Sequence, residues 1–439
     1  RNPQAVDLLC TFRQNAKYER CCPLHHAIFL GLSTDVEVMD ALSSPVTVKQ
    51  NFHGTTALHR VLCGTSDKKI DVSEDVIAIF LRKCPEAAMK KDKKGKTPLH
   101  IACKNDLPFD VLSLLLNSWP DATKEKDSDG QTPLHFACRF GKSLGVVSAL
   151  LNSWPEAAKE ESYYDSTPLH LACMHRASPD VVSALLNKCP EAAKKKGFCG
   201  QTALHDACQH GVPLNVVSAL LGSFPDAAQV KDNEGDTPLH LVCRYDPSID
   251  VLSALLSSYP DAAKQKNNHA HTPLHLACMH RASFYVVSAL LDSFPGAIQE
   301  ENTKCQMPLH LACQMGTSMD VIQLLLDKWL EANENRNNDS VESLRRLAYG
   351  NTKILLFHVS SLFHEEQNTP SPSEILSFFI NGKWWNGALV VVNRYPAVTK
   401  TLDLNTTVMA DFLSTIGKSC SLTTMSCVIQ NEPDLLEGV

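Results

Sequence analysis

One interval governs what this chain can fold into. Thr-Pro-Leu-His, or a close variant, begins at Thr97, Thr132, Thr167, Thr202, Thr237 and Thr272, Met307 continues the series, and successive copies are 35 residues apart. Two more copies start at Cys22 and Thr56, and the 41 residues from Thr56 to Thr97 are one period plus a six-residue insertion around 64–69. Nine copies of so short a segment exclude a fold built round one central core. Each copy is a supersecondary element too small to bury its own apolar face, so stability has to come from stacking copy on copy.

The copy beginning at Thr132 shows what is stacked. Thr132 can accept hydrogen bonds from the open amides of a first helical turn, and Pro133 at the first helical position forfeits nothing. Leu134, Ala137 and Cys138 then share one helical face, and Gly141 stops the helix. Val146, Val147, Leu150 and Leu151 form the apolar stripe of a second helix, and Pro155 lies beyond its end. The run Asp-Ser-Asp-Gly at 127–130 has the residues of a tight turn. One repeat therefore reads as helix, turn, helix, polar hairpin, and the fold class as an all-α solenoid. The T-P-L-H-x-A signature, the V-V-x-x-L-L second helix and the D-x-x-G turn resemble ankyrin repeats. The chain departs from that family in length, 35 residues against the usual ~33. The extra two lie in the S-x-P-E-A-A segment that replaces the family's glycine-led helix end.

The ruler divides the chain into four regions. Residues 1–21 read as a truncated or divergent N-terminal copy, and 22–341 as the array of nine clear copies. Residues 342–372 read as a degenerate copy and linker, and 373–439 as two divergent C-terminal copies, the second starting at Val408. Ser371-Pro-Ser-Glu374 has the form of a capping box with proline at the first helical position. The whole reads as about twelve helix pairs.

Composition then removes function classes. No apolar run approaches the roughly 18 residues that span a bilayer. Asp and Glu number 48 against 41 Lys and Arg, which argues against a surface built for nucleic acid, since phosphate wants a basic field. Seventeen cysteines, an odd number with no signal peptide before them, read as free thiols in a reducing compartment, so an intracellular protein, cytoplasmic or nuclear. The chain starts at Arg1, which keeps open a reading as the targeting or regulatory array of a larger enzyme or channel.

Two columns of reactive side chains follow the period. His25, His59, His100, His135, His170, His205, His240, His275 and His310 recur at the signature. Packed helices lie ~8–10 Å apart, too far for neighbouring imidazoles to share a zinc held at ~2 Å by each ligand. The family resemblance implies instead that each ring ties its own turn to the next. Cys103, Cys138, Cys173, Cys208, Cys243, Cys278 and Cys313 form the second column. The same spacing exceeds the ~7 Å a disulfide tolerates between Cα atoms, and equivalent thiols beside equivalent histidines do not make an active site. No phosphate loop, dinucleotide fingerprint or metal-binding helix accompanies them, so the expectation is no enzyme, no metal and no cofactor. The lysine-rich turns 90–96 and 194–196 read as solvated hairpins.

The resemblance places partner contacts on a concave face, at the hairpin residues flanking the turn glycine and at the two residues after the small pair of the first helix. The helix positions include Arg139, Phe140, Met174, His175, His210, Arg244, Tyr245 and His280, and the hairpin positions Tyr163, Tyr164, Phe198 and His269. These positions vary while the frame around them does not, and they carry the aromatic and arginine residues that dominate protein interfaces. The expected function is a non-enzymatic scaffold for one or more partner proteins.

Overall fold

Each repeat opens on residues suited to starting a helix. In the computed structural model Thr132 is extended, and a seven-residue helix runs Pro133–Arg139. The backbone N–H of Thr132 donates to His135 Nδ1 at 3.1 Å. The helix closes on Phe140, and Gly141 turns left-handed with φ 61°, a conformation that costs glycine little. The second helix, Leu144–Ser153, buries Val146, Val147, Leu150 and Leu151.

The next segment departs from the expected simple helix end. Trp154 is extended, and Pro155–Lys159 forms one turn of 3-10 helix in which Ala157 and Ala158 are buried. Proline cannot continue the preceding helix, lacking an N–H and clashing with the turn before it, yet its fixed φ suits the start of a new turn. The same element recurs at Pro85–Met89, Pro120–Lys124, Pro190–Lys194, Pro225–Gln229, Pro260–Lys264 and Pro295–Gln299. Leu330 replaces that proline one period after Pro295. There the helix is uninterrupted, Met319–Leu330, twelve residues where its counterparts have ten.

The structure describes residues 10–14, 17–52, 54–63, 73–105, 107–245, 248–331, 335–363, 369–395 and 398. The chain divides into two compact units, Arg1–Tyr259 and Pro260–Val439. The N-terminal unit begins with an antiparallel hairpin, Cys10–Gln14 against Lys17–Cys21, with Cys10 opposite Cys21. Seven helix pairs follow, from Pro23–Phe29 with Val36–Leu42 to Pro238–Tyr245 with Ile249–Ser258. From Ala57–Cys63 onward, each first helix packs on the first helix of the next pair, and second helices stack likewise. Leu99, Leu134, Leu169 and Leu204 of the first helices and Val111, Val147, Val182 and Val217 of the second are all buried.

Among the described residues the C-terminal unit holds four pairs, Pro273–Met279 with Phe284–Ser293, Pro308–Met315 with Met319–Leu330, Asn338–Leu347 with Gly350–Ser361, and Pro372–Asn381 with Trp385–Arg394. Ser371 and Glu374 form the capping box their spacing predicts. Trp384 Nε1 and Asn386 Nδ2 each donate to Asp327 at 2.7 Å, tying the last pair to helix Met319–Leu330. The copy expected from Val408 lies outside the described residues. Among those residues the fold is an all-α repeat stack apart from the N-terminal hairpin and a single bridge between Phe52 and Thr55.

Candidate functional site

The histidine column is structural. In the N-terminal unit the Nε2 atoms of His59, His100, His135, His170 and His205 lie 3.0–3.3 Å from the carbonyls of Lys96, Gln131, Ser166, Gln201 and Asp236. In the C-terminal unit His275 reaches Gln306 O at 3.0 Å. A carbonyl only accepts, so Nε2 carries the proton and Nδ1 accepts from the threonine that opens its own helix, as Thr97 N does to His100 at 3.1 Å. Both ring nitrogens are occupied, and the ring is a neutral strut between repeats. Burial drives His100, His135, His205 and His275 down to about 4. Among the described residues no group of three His, Cys, Asp or Glu side chains could hold a metal ion.

The cysteine column is equally inert. Cys103, Cys138, Cys173, Cys208, Cys243, Cys278 and Cys313 are buried free thiols. Burial pushes Cys103 and Cys313 up to about 12, so the thiolate required of a nucleophile is absent at neutral pH.

Between these struts the hairpins project. Asp127 Oδ1 accepts the amides of Asp129 and Gln131, both at 2.9 Å, which folds the turn around a buried carboxylate. Asp92 and Asp232 do the same in their own turns, and Asn267 and Asn302 in the C-terminal unit. Adjacent turns are joined edge to edge: Ser128 N donates to Lys94 O, Tyr163 N to Asp129 O and Asn233 N to Cys199 O, each at 2.9 Å. Gly130 has φ 74°, and a Cβ there would come within 2.9 Å of the Tyr163 ring. That leaves Tyr163, Tyr164 and Phe198 at the tips, 74%, 58% and 64% exposed. The lysines of these turns are engaged within the stack. Lys91 pairs with Glu125, Lys126 with Glu160 and Lys195 with Glu161 at 2.6–2.8 Å, and Lys96 lies 4.8 Å above the Phe136 ring.

The ends of the first helices form the other row. Arg139 is exposed, stands 5.8 Å above the Phe140 ring, and its charge is felt at His175 one repeat on. Met174 is half-buried, while His175 and Tyr245 are exposed. His210 is half-buried, its carbonyl accepting from Arg176 Nε at 2.5 Å. A cavity of about 250 Å³ opens beside them, lined by Arg176, Gln209, His210, Tyr245, Ser248 and Val251. Arg244, expected on the same grounds as Arg139, has its guanidinium 2.6 Å from the buried carboxylate of Asp236, which makes it partly a structural counter-ion. In the C-terminal unit His269 and His280 are exposed, and His269 lies 6.0 Å from the His271 ring. The structure thus groups Arg139, His175 and His210 in one row and Tyr163, Tyr164 and Phe198 in another.

Reading the sequence by fixed offsets missed Arg176, which stands one place beyond the pair Met174-His175. Its signal was present: the equivalent residues one repeat either side are Gly141 and Gly211. Also missed was an apolar hollow of about 300 Å³ in the C-terminal unit, walled by Met319, Ile354, Leu355, Phe378, Phe379 and Trp384. Residues far apart in a degenerate stretch build it, so no local pattern announces it.

The family model described as ankyrin repeats (3 copies) matches the chain in overlapping stretches, residues 69–159, 107–196, 143–229, 169–268, 213–301 and 250–338. A search of curated proteins finds no match. Among the described residues no helix is long and apolar enough to cross a membrane.

Proposed function

The chain belongs to the ankyrin-repeat family, whose arrays are in general protein–protein interaction modules, and from that premise we propose that it is a non-enzymatic scaffold holding its partner on two rows of the N-terminal unit. One row is the hairpin tips Tyr163, Tyr164 and Phe198, the other the helix ends Arg139, Phe140, Met174, His175, His210, Arg244 and Tyr245. His269 and His280 extend the same reading to the C-terminal unit. The exposure of three large aromatic side chains on turns fixed by their own backbone hydrogen bonds carries this reading most. Such rings offer contact area at small entropic cost because the frame beneath them is already ordered. The inert chemistry of the buried histidines and thiols is consistent with a binding role.

The test is affinity capture from native extract with the parent chain and with a Tyr163→Ser, Tyr164→Ser, Tyr245→Ser variant, read by mass spectrometry. All three side chains are at least 49% exposed, so the stack should survive their truncation. A partner held by the parent and lost with the variant is the expected result. Partners held equally by both would remove these residues from the interface.

A further inference from the structure

The first-helix ends of the N-terminal unit carry charge of one sign. Segments 139–143, 174–178 and 209–213 contain Arg139, Lys142, His175, Arg176 and His210 and neither aspartate nor glutamate, in a chain whose net charge is −7. Lys91, Lys126 and Lys195 of the hairpin row are matched to carboxylates of an adjacent repeat, and Arg244 is matched to Asp236. Among the described residues no carboxylate forms an ion pair with Arg139, His175, Arg176 or His210. Partial burial and then the neighbouring charges of Arg139 and His210 hold His175 below its ordinary range, and partial burial and then Arg176 do the same to His210. Burial is the larger cause at both histidines, and the neighbouring cations act in the same direction.

Arg176 adds an independent observation. It has φ 54°, in the left-handed region, where the equivalent residues one repeat either side are Gly141 at 61° and Gly211 at 62°, and where Arg281 of the near-identical copy at Thr272 lies at 59°. A long side chain at such a position costs ~1 kcal/mol against glycine, and nothing in the packing requires it, since Arg176 is exposed. Its Nε bond to His210 O at 2.5 Å directs the guanidinium toward the next repeat, beside the 250 Å³ cavity that Gln209, Tyr245 and Ser248 also line.

We propose that this row docks an acidic peptide segment of the partner protein, side-chain carboxylates meeting Arg139 and Arg176. The inference rests on the scaffold reading above and specifies the partner's chemistry. Charge complementarity selects the ligand: an anion gains most where cations lack a carboxylate partner in the fold. Spacing selects its form. Equivalent side chains of stacked helices recur at ~8–10 Å, and one three-residue turn of an extended polyproline II segment advances ~9 Å with every third side chain on the same face. Acidic residues at every third position of an extended segment would therefore keep step with the repeats.

The experiment uses the full chain and a fluorescein-labelled peptide of about nine residues, glutamate at every third position and Gly-Ser between, followed by anisotropy at about 50 mM salt. Its key variant is Arg139→Gln with Arg176→Gly. These place on the row the residues found at equivalent positions in neighbouring repeats, Gln209 for the first and Gly141 and Gly211 for the second, so the stack is retained. Saturable binding that weakens by about tenfold or more in this variant, and persists in a Tyr163→Ser, Tyr164→Ser chain, is the expected outcome. Three results overturn the proposal: no saturation up to about 1 mM peptide, equal binding by the charge variant, or tighter binding of an oligothymidylate of equal charge. If partner capture still depends on the tyrosines while the peptide fails to bind, the scaffold reading stands and the acidic-segment assignment alone falls.

Discussion

At the residue scale, one position breaks the frame that the period enforces. From the copy at Thr97 onward the residue after the signature histidine is Ile101, Phe136, Leu171, Leu241, Leu276 or Leu311, and Asp206 in the copy at Thr202. Asp206 is buried without an ion-pair partner among the described residues, and burial raises its carboxyl to about 7. Its linkage runs opposite to that of the histidine column. A histidine titrating near 6.5 when unfolded and near 4 in the stack leaves the unfolded chain binding more protons between those values. Each such ring therefore removes stability as pH falls from about 6.5 toward 4, by at most ~1.4 kcal/mol per pH unit. Asp206 is protonated in the stack and ionised when unfolded between about 3.8 and 7, so its contribution falls as pH rises through that window and stays low above it. Asp206→Leu, giving the residue of Leu171 and Leu241, should stabilise helix Ala203–His210 by about 2–4 kcal/mol near pH 7.5 and by clearly less near pH 5. Amide exchange of that helix at the two pH values measures it, and an equal gain at both would show that ionisation of Asp206 is not what destabilises the wild type. The period itself predicts an apolar residue here, and only departure from it reveals the strained positions, Asp206 and Arg176 alike.

At the scale of the element, what the sequence made legible follows local rules. Thr-Pro starts, glycine stops and the V-V-x-x-L-L stripe are backbone and burial statements about adjacent residues, and the helices Pro133–Arg139 and Leu144–Ser153 form where those statements place them. The 3-10 turn at Pro155–Lys159 was not legible, because a proline read as a terminator says nothing of what the chain does next. That depends on Ala157 and Ala158 being small enough to lie under the neighbouring repeat. The proposed row was half legible for a similar reason: fixed offsets find the columns, whereas the pairing of Arg244 with Asp236 is a contact across eight residues that only the fold supplies. Leu150 tests the energetics of the element. It is 1% exposed in the second helix of its repeat, and Leu150→Ala should cost roughly 2–5 kcal/mol. Because each pair touches mainly its neighbours, exchange protection should fall in that repeat and the two adjoining it. Protection lost evenly from Cys22 to Tyr259 would contradict nearest-neighbour coupling.

For the whole molecule, the repetition separates two tasks. Neutral histidine struts, protonated thiols and turn carboxylates that accept backbone amides build a frame held by contacts within the stack, so the tips and helix ends can change without disturbing it. That frame carries its own reporters. Cys103, Cys138, Cys173, Cys208 and Cys243 are buried at equivalent places in the N-terminal unit and Cys278 and Cys313 in the C-terminal one, while Cys63, Cys199 and Cys305 are exposed. Among the described residues a thiol probe applied to the native chain should modify Cys63, Cys199 and Cys305 and spare the buried column. With rising urea the buried thiols should become reactive in contiguous blocks, because losing one repeat strips its neighbours of the interface that buries their apolar faces. Cys138 and Cys173, whose repeats pack directly on each other, should then share a midpoint, and mass spectrometry of pulse-labelled peptides resolves each site. A single midpoint common to all seven would require coupling that reaches well beyond adjacent repeats, and the exposed tips would then be mechanically linked to the entire stack instead of to the repeats that carry them.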